Sequence, residues 1–446
     1  MKHSNLPGEL KQKLIQQSLR RKLKINSAEE KQIPFHATVL TQEKKQNGLI
    51  DFTHHPGYQQ IRIIRDGAAK LGVANPFFRL HEGCAGATTI IGGKSYLNFA
   101  SYNYLGLSGH PVVNQAAKEA IERYGTSVSA SRMVSGERPV HQQLESALAQ
   151  AYEVDDAVVF VSGHATNVSS IGYLLGSRDL ILHDEFIHNS TLEGAKLSGA
   201  RRIAFAHNDP AALAGILQQQ RNQFERVLIV LEGIYSMDGD YPELPRFIEL
   251  KQQFNAWLMV DEAHSLGVMG SHGLGIREHF GLPGNAVDIW MGTLSKTLAA
   301  CGGYIAGCSA LIEILRHLAP GFLYSVGMPA QTAAPALAAL NLMLQEPDRV
   351  ARLQHISTYF LQQAKRAGFD TGSSVGLAVV PIITGSSLNA TRLSLYLFEQ
   401  GINVQPILYP AVPEKSARLR FFLSTDHSQE QIDQTLAVLQ AAQAAL

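Results

Sequence analysis

The chain has 446 residues, too many for one small core and enough for a large domain plus a smaller one. Lys+Arg and Asp+Glu both number 38, so the net charge is zero, which gives no support to a general affinity for nucleic acid or anionic membranes. Cys84, Cys301 and Cys308 form no CxxC pair. They argue against a zinc site or a disulfide framework, read as packing residues, and fit a reducing cytoplasm.

Residues 1 to about 50 are rich in Lys and Gln and poor in Gly and aromatics. They hold no apolar secretory core, and no run of 18 apolar residues marks a membrane span anywhere. Leu10, Leu14, Ile15 and Leu19 recur at helical spacing and predict a short amphipathic helix. That segment reads either as a solvated arm packed on the body or as a docking element for a partner.

From Asn75 the texture changes. Residues 90–99 predict a hairpin, with apolar runs on either side of Gly92-Gly93. His141 to Ala151 has helical spacing. Ala157 to Val161, Val227 to Leu231, Trp257 to Val260 and Asp288 to Met291 are short apolar runs between helical segments. Such runs indicate a parallel sheet covered on both faces. Past Pro329 comes a long Ala/Leu-rich helix, then alternating segments ending in Arg418-Leu-Arg420-Phe-Phe-Leu and a C-terminal helix, together a smaller α/β domain.

Several strand ends carry reactive groups. Lys296, in Thr293-Leu-Ser-Lys296-Thr, follows an apolar strand and precedes Gly302-Gly303. A Schiff-base lysine must present a neutral amine, shielded from water and near other positive charge, and flanking hydroxyls can bind a phosphate. Asp261, in Val260-Asp-Glu-Ala-His264, sits at the carboxyl end of a strand, where open α/β sheets bind ligands. A carboxylate there suits the pyridine nitrogen of pyridoxal 5′-phosphate (PLP), and His264 its phenolic oxygen. The same Asp-Glu-Ala-His string occurs in helicases, but the phosphate loop they need upstream is missing.

Gly163 and His164 open a helix after a strand, which suits a phosphate. His188 is the candidate to stack on a cofactor ring, whereas His183, His207 and His272 read as structural histidines. Ser236, in Glu232-Gly-Ile-Tyr-Ser236-Met-Asp-Gly-Asp240, could contact the ring oxygen or the substrate.

These strings, with Ser101-Tyr102-Asn103-Tyr104-Leu105-Gly106, stand in the order seen in the α-oxoamine synthase family, which the chain resembles from about Phe78 onward. That family includes 8-amino-7-oxononanoate synthase, glycine C-acetyltransferase, 5-aminolevulinate synthase and serine palmitoyltransferase. Tyr102 stands where oxononanoate synthases have asparagine, a form similar to serine palmitoyltransferases and to synthases attached to polyketide assembly lines.

The resemblance implies a PLP-dependent transferase of fold type I, an α/β protein with a mainly parallel central sheet. Its expected parts are an extension at 1–50, an N-terminal segment at 51–108, a PLP-binding domain at 109–322 and a small domain at 323–446. It implies that Lys296 forms the Schiff base and moves the α-proton, that Asp261 pairs with the pyridine nitrogen and His264 with the ring oxygen, and that His188 stacks on the ring. Gly163, His164 and Thr293 then meet the phosphate, and Ser236 lies near the cofactor. Arg420 holds the amino-acid carboxylate, with Arg418 as its competitor, and Tyr102 and Asn103 lie near the substrate. Ser325 reaches the phosphate of a second copy, so the implied enzyme is a homodimer with a shared site.

The implied reaction condenses glycine, alanine or serine with an acyl thioester on coenzyme A or an acyl carrier protein. A fold-type I aminotransferase, a non-catalytic partner subunit and a scaffold protein are the rival readings.

Overall fold

A computed structural model describes residues 50–70 and 72–445. The helix predicted around Leu10 to Leu19 lies outside the described residues. The chain divides into two units between Asn75 and Pro76. In the first, the Asp51 side chain accepts from Thr53 N (2.9 Å) to cap a 3-10 turn, Phe52–His54. The helix Pro56–Lys70 follows, with Ile61, Ile63 and Ile64 exposed.

In the second unit the predicted hairpin forms from β1 (Thr88–Ile91) and β2 (Lys94–Asn98). Gly92 (φ 57°) and Gly93 (φ 74°) supply the two left-handed residues that its tight turn requires.

The central sheet contains β3 (Asp156–Phe160), β4 (Leu180–Asp184), β5 (Arg201–Phe205), β6 (Val227–Glu232), β7 (Trp257–Asp261), β8 (Ile289–Thr293) and β9 (Gly303–Gly307). Its order is β3-β9-β8-β7-β6-β4-β5. The strands from β8 to β5 run parallel, and β9 is antiparallel to both β3 and β8. The period of two explains the burial of both faces. Val227, Ile229 and Leu231 of β6 join one apolar core, and Leu228 and Val230 join the core on the other face. Each such side chain stabilises the fold by about 1.5–3 kcal/mol.

The helix predicted at His141 to Ala151 spans Pro139–Tyr152, and the one after Pro329 spans Ala330–Gln345, followed by Pro347–Arg366. Next come β10 (Val379–Ile383), β11 (Ile402–Asn403), β12 (Gln405–Ile407) and β13 (Arg418–Phe422), then the helix Gln429–Ala445. β13 lies antiparallel between β10 and β12, while β11 pairs in parallel with β2, so the early hairpin shares a sheet with the late part of the chain. Arg418 and Arg420, two residues apart on β13, share one face of that strand. No helix among the described residues is long and apolar enough to cross a membrane.

Candidate active site

Parallel strands deliver their carboxyl ends to one edge of the sheet. Here Glu232 ends β6, Asp261 ends β7 and Thr293 ends β8, with Glu232 and Asp261 in direct register. Asp261 is buried, and its carboxylate accepts from Asn167 Nδ2 (2.9 Å) and Ala263 N (3.0 Å). Asn167 also donates to Ser190 Oγ (2.9 Å), whose hydroxyl is left to donate to His188 Nδ1 (2.7 Å). The carboxylate and the imidazole are thus joined by one chain of hydrogen bonds. His188 also caps the helix Asn189–Ser198, which fixes its ring.

Buried His264 meets the hydroxyl of buried Tyr104 through Nδ1 (2.7 Å). Burial holds the Tyr104 phenol well above its usual range, so that hydroxyl stays protonated and donates. Burial first, then the positive charges of Lys296 and Arg420, keep His264 well below the usual histidine range. A neutral ring accepting at Nδ1 carries its proton on Nε2, which has no protein partner among the described residues.

Lys296 lines a cavity of about 470 Å³ with Tyr102, Asn103, Ser295, Cys84 and Gln405. Its amine has no hydrogen-bond or ion-pair partner among the described residues and lies 5.5 Å from the Tyr102 ring centroid. Burial lowers its pKa to about 8, against the opposing pull of Asp261 and Glu232. Burial, with the Asp261 carboxylate adding to it, pushes Glu232 up to about 8.

The helix Gly163–Leu174 begins beside Thr293. A Cβ on Gly163 would lie 2.8 Å from Thr293 Oγ1, so only glycine permits this approach. Ser162 caps Ala165 N (3.0 Å), while the earlier N–H groups of the first turn have no helical acceptor. Exposed His164 flanks them, and Ser295 Oγ lies 2.7 Å from Thr293 Oγ1.

The two arginines of β13 separate by their partners. Arg418 is buried and bound to Asp238 Oδ1 (2.5 Å) and Met237 O (3.0 Å), so the ion pair expected for it at the surface is internal. Arg420 donates from Nη1 to Ser236 O (3.0 Å), while its Nε is buried without a partner. Burial lowers its pKa from the ordinary arginine value.

Ser236 is buried and offers Arg420 its carbonyl. Asn103 lines the cavity, but its amide is committed to the backbone, donating to Ala85 O (2.7 Å) and accepting from Ser108 N (3.0 Å). Tyr102 packs edge-on against Phe422 at 4.7 Å and is 39% exposed. Ser325 stands apart from this cluster, between exposed Tyr324 and Val326. All three cysteines are exposed, which corrects their reading as packing residues. Among the described residues no group of three or more His, Cys, Asp or Glu side chains is arranged to hold a metal ion.

The orphaned polar atoms Asn167 Oδ1, Glu232 Oε1 and Arg420 Nε mark a site built for a polar ligand. A strand-end carboxylate, a neutral imidazole with a free N–H, an unpartnered lysine and an open helix N-terminus match the ring nitrogen, ring oxygen, aldehyde and phosphate of PLP.

The model of the family "Aminotransferase class I and II" matches residues 94–439. The chain is 41% identical over 349 residues to an 8-amino-7-oxononanoate synthase of Symbiobacterium thermophilum, covering 78% of this chain and 88% of that one. It is 40% identical over 358 residues to the same-named protein of Thermosipho melanesiensis, covering 80% and 90%. The chain belongs to the aminotransferase class I and II family. Within it the chain is an α-oxoamine synthase.

Solved structures agree on the fold. Sphingomonas wittichii serine palmitoyltransferase superposes with a TM-score of 0.84 at 28% identity, covering 89% of this chain and 98% of that one. The 8-amino-7-oxononanoate synthase of Francisella tularensis gives 0.68 at 26%, covering 78% and 98%. The fold is thus the PLP-dependent type I fold with its mainly parallel central sheet, and PLP is the cofactor of this synthase.

The sequence alone assigns no role to Asn167, Ser190, Tyr104 or Glu232. Their signal is distance in the chain: Asn167 meets Asp261 across 94 residues, and Tyr104 meets His264 across 160. Gly163→Val in this α-oxoamine synthase should weaken PLP binding about tenfold, in line with the roughly 1–3 kcal/mol cost of overpacking. Fluorescence titration of the apoenzyme with PLP measures it.

Proposed function

We propose that the enzyme joins a small L-amino acid (glycine, alanine or serine) to an acyl thioester, giving an α-amino ketone, CO₂ and a free thiol. The observation that carries this reading is the electrostatic grouping of an unpartnered lysine, a strand-end carboxylate and a half-buried arginine with a free Nε.

When bound, PLP supplies a carbonyl that condenses with amines and a ring that accepts the electron pair left by the departing α-proton. Asp261 would hold the proton at the ring nitrogen, and the Nε2–H of His264 would donate to the ring oxygen. Gly163, His164, Thr293 and Ser295 would receive the phosphate, and His188 would cover one ring face. Arg420 receives the amino-acid carboxylate with a planar fork, and its unpartnered Nε is a free donor for it. Lys296 takes the α-proton at Nζ. Its pKa of about 8 leaves a useful neutral fraction at neutral pH, near the optimum for a general base. Glu232, raised to about 8, is mostly neutral at pH 7 and leaves the negative charge beside the site on Asp261.

The α-carbon then attacks the thioester carbonyl, the C–S bond breaks, the carboxylate leaves as CO₂ and the α-carbon is reprotonated. The net reaction takes up one proton.

Exposed Tyr324 and Val326, with half-buried Ser325 between them, suit contact with a second copy, in a cytoplasmic homodimer whose site is shared. An acyl carrier protein is one source of the acyl group, with residues 1–50 as its docking element. Deleting residues 1–50 should then lower kcat/KM for carrier-bound acyl groups about tenfold or more while sparing acyl-CoA. Equal loss on both donors would sink that role. The parent reading is tested by incubating holoenzyme with each amino acid and a set of acyl-CoA and acyl-carrier thioesters. Thiol release with an α-amino ketone by mass is expected, whereas formation of a 2-oxo acid without thiol release would make it an aminotransferase.

A further inference from the structure

His207, two residues past β5, lies between two carboxylates. Its Nδ1 is 2.9 Å from Asp184 Oδ1 and its Nε2 is 2.9 Å from Asp240 Oδ2. An ionised carboxylate only accepts, so both ring nitrogens carry protons. Phe186 lies against the ring and Tyr235 stands edge-on to it, both at 4.5 Å, and the side chain is 16% exposed. The backbone N–H of His207 donates to Glu185 Oε1 (3.0 Å). This is far more than an isolated structural histidine requires.

Its two partners lie in segments that build the site. Asp184 ends β4, just before the turn that carries His188, and also accepts from Phe186 N (2.9 Å) and Asn208 N (2.8 Å). Asp240 closes the loop 235–240. Tyr235 N donates to its carbonyl (2.9 Å), and Ser373 Oγ donates to its carboxylate (2.8 Å). The same loop seats both arginines of β13: Ser236 O receives Arg420, and Met237 O with Asp238 receives Arg418. At Gly239 (φ 70°) a Cβ would clash with Val379 O, so the loop rests directly on β10.

We propose that His207, as an imidazolium clamped between Asp184 and Asp240, is a positioning residue for the amino-acid substrate. It fixes loop 235–240, and through that loop the guanidinium of Arg420. This rests on the reading that Arg420 receives the substrate carboxylate. His207 touches neither substrate nor cofactor in this scheme and acts only through the loop.

The test compares His207→Gln, Asp240→Asn and Arg420→Gln with the parent holoenzyme. His207→Gln and Asp240→Asn should each raise KM for the amino acid by roughly ten- to a hundredfold, as a misplaced binding group does. KM for the thioester and the absorbance of bound PLP should stay unchanged. If the His207 and Asp240 variants leave the amino-acid KM unchanged while Arg420→Gln raises it, the role of His207 falls alone. If Arg420→Gln leaves it unchanged, the assignment of Arg420 falls and this proposal with it. If both KM values, PLP absorbance and thermal stability shift together, His207 is merely structural. Nitrogen-15 spectra of histidine-labelled enzyme give a readout independent of activity. Both His207 nitrogens should be protonated at pH 8, against the cost of burial, because the two carboxylates raise its pKa to about 10. A singly protonated ring at that pH would overturn the clamp.

Discussion

Lys296→Ala is expected to lower the condensation rate by about a thousandfold or more, within the upper range for losing a positioned acid–base group. The Lys296 amine makes no hydrogen bond or ion pair among the described residues, so it is held available rather than used to support the fold. Burial lowers its pKa to about 8, which leaves a useful fraction of the amine neutral at neutral pH. The variant should still fold and still bind PLP, because Asp261, His264 and the helix start at Gly163 are untouched. Borohydride reduction followed by mass spectrometry should show PLP covalently attached to the parent and none attached to the variant. A variant that kept more than a tenth of the parent rate would remove Lys296 from the chemistry.

Asp261→Asn is expected to cost about 10²–10³ in rate, the range for removing one preorganised electrostatic partner. The carboxylate ends β7 and accepts from Asn167 Nδ2 and Ala263 N. An asparagine of the same size keeps the packing but cannot hold a positive charge at a pyridine nitrogen. It must also turn its own NH₂ toward one of two groups that only donate. The network Asp261–Asn167–Ser190–His188 should loosen with it, so amino-acid binding should weaken alongside the rate. Steady-state kinetics with the amino acid varied separates the two effects. Parent-like kcat in Asp261→Asn would deny the carboxylate its electrostatic role.

Much of this was legible in the chain because strand ends announce themselves. An apolar run of four to six residues followed at once by Asp261, Thr293 or Glu232 predicts a buried strand delivering a polar group to the sheet edge. The boundaries fell within a residue or two for β3, β6, β7 and β8. Neither β9 nor its antiparallel pairing is expected from the sequence, because Gly303–Gly307 begins and ends in glycine and strand direction leaves no compositional trace. The pairing of β2 with β11 joins residues about 300 apart and lies beyond any local pattern. The same limit hid Asn167 and Tyr104, whose importance lies in what they touch. For the two arginines of β13, spacing could only place them on one face. Asp238 engages Arg418 while the Nε of Arg420 stays open, which supports the proposed role of Arg420.

A decarboxylative condensation is measured most directly by its stoichiometry. Holoenzyme would be given a carboxyl-labelled amino acid that it accepts, with its preferred acyl thioester, and labelled CO₂ and free thiol counted in the same reaction. One labelled CO₂ for each thiol, both abolished in Lys296→Ala, is the expected result. Thiol without labelled CO₂, or a labelled 2-oxo acid in place of both, would contradict it.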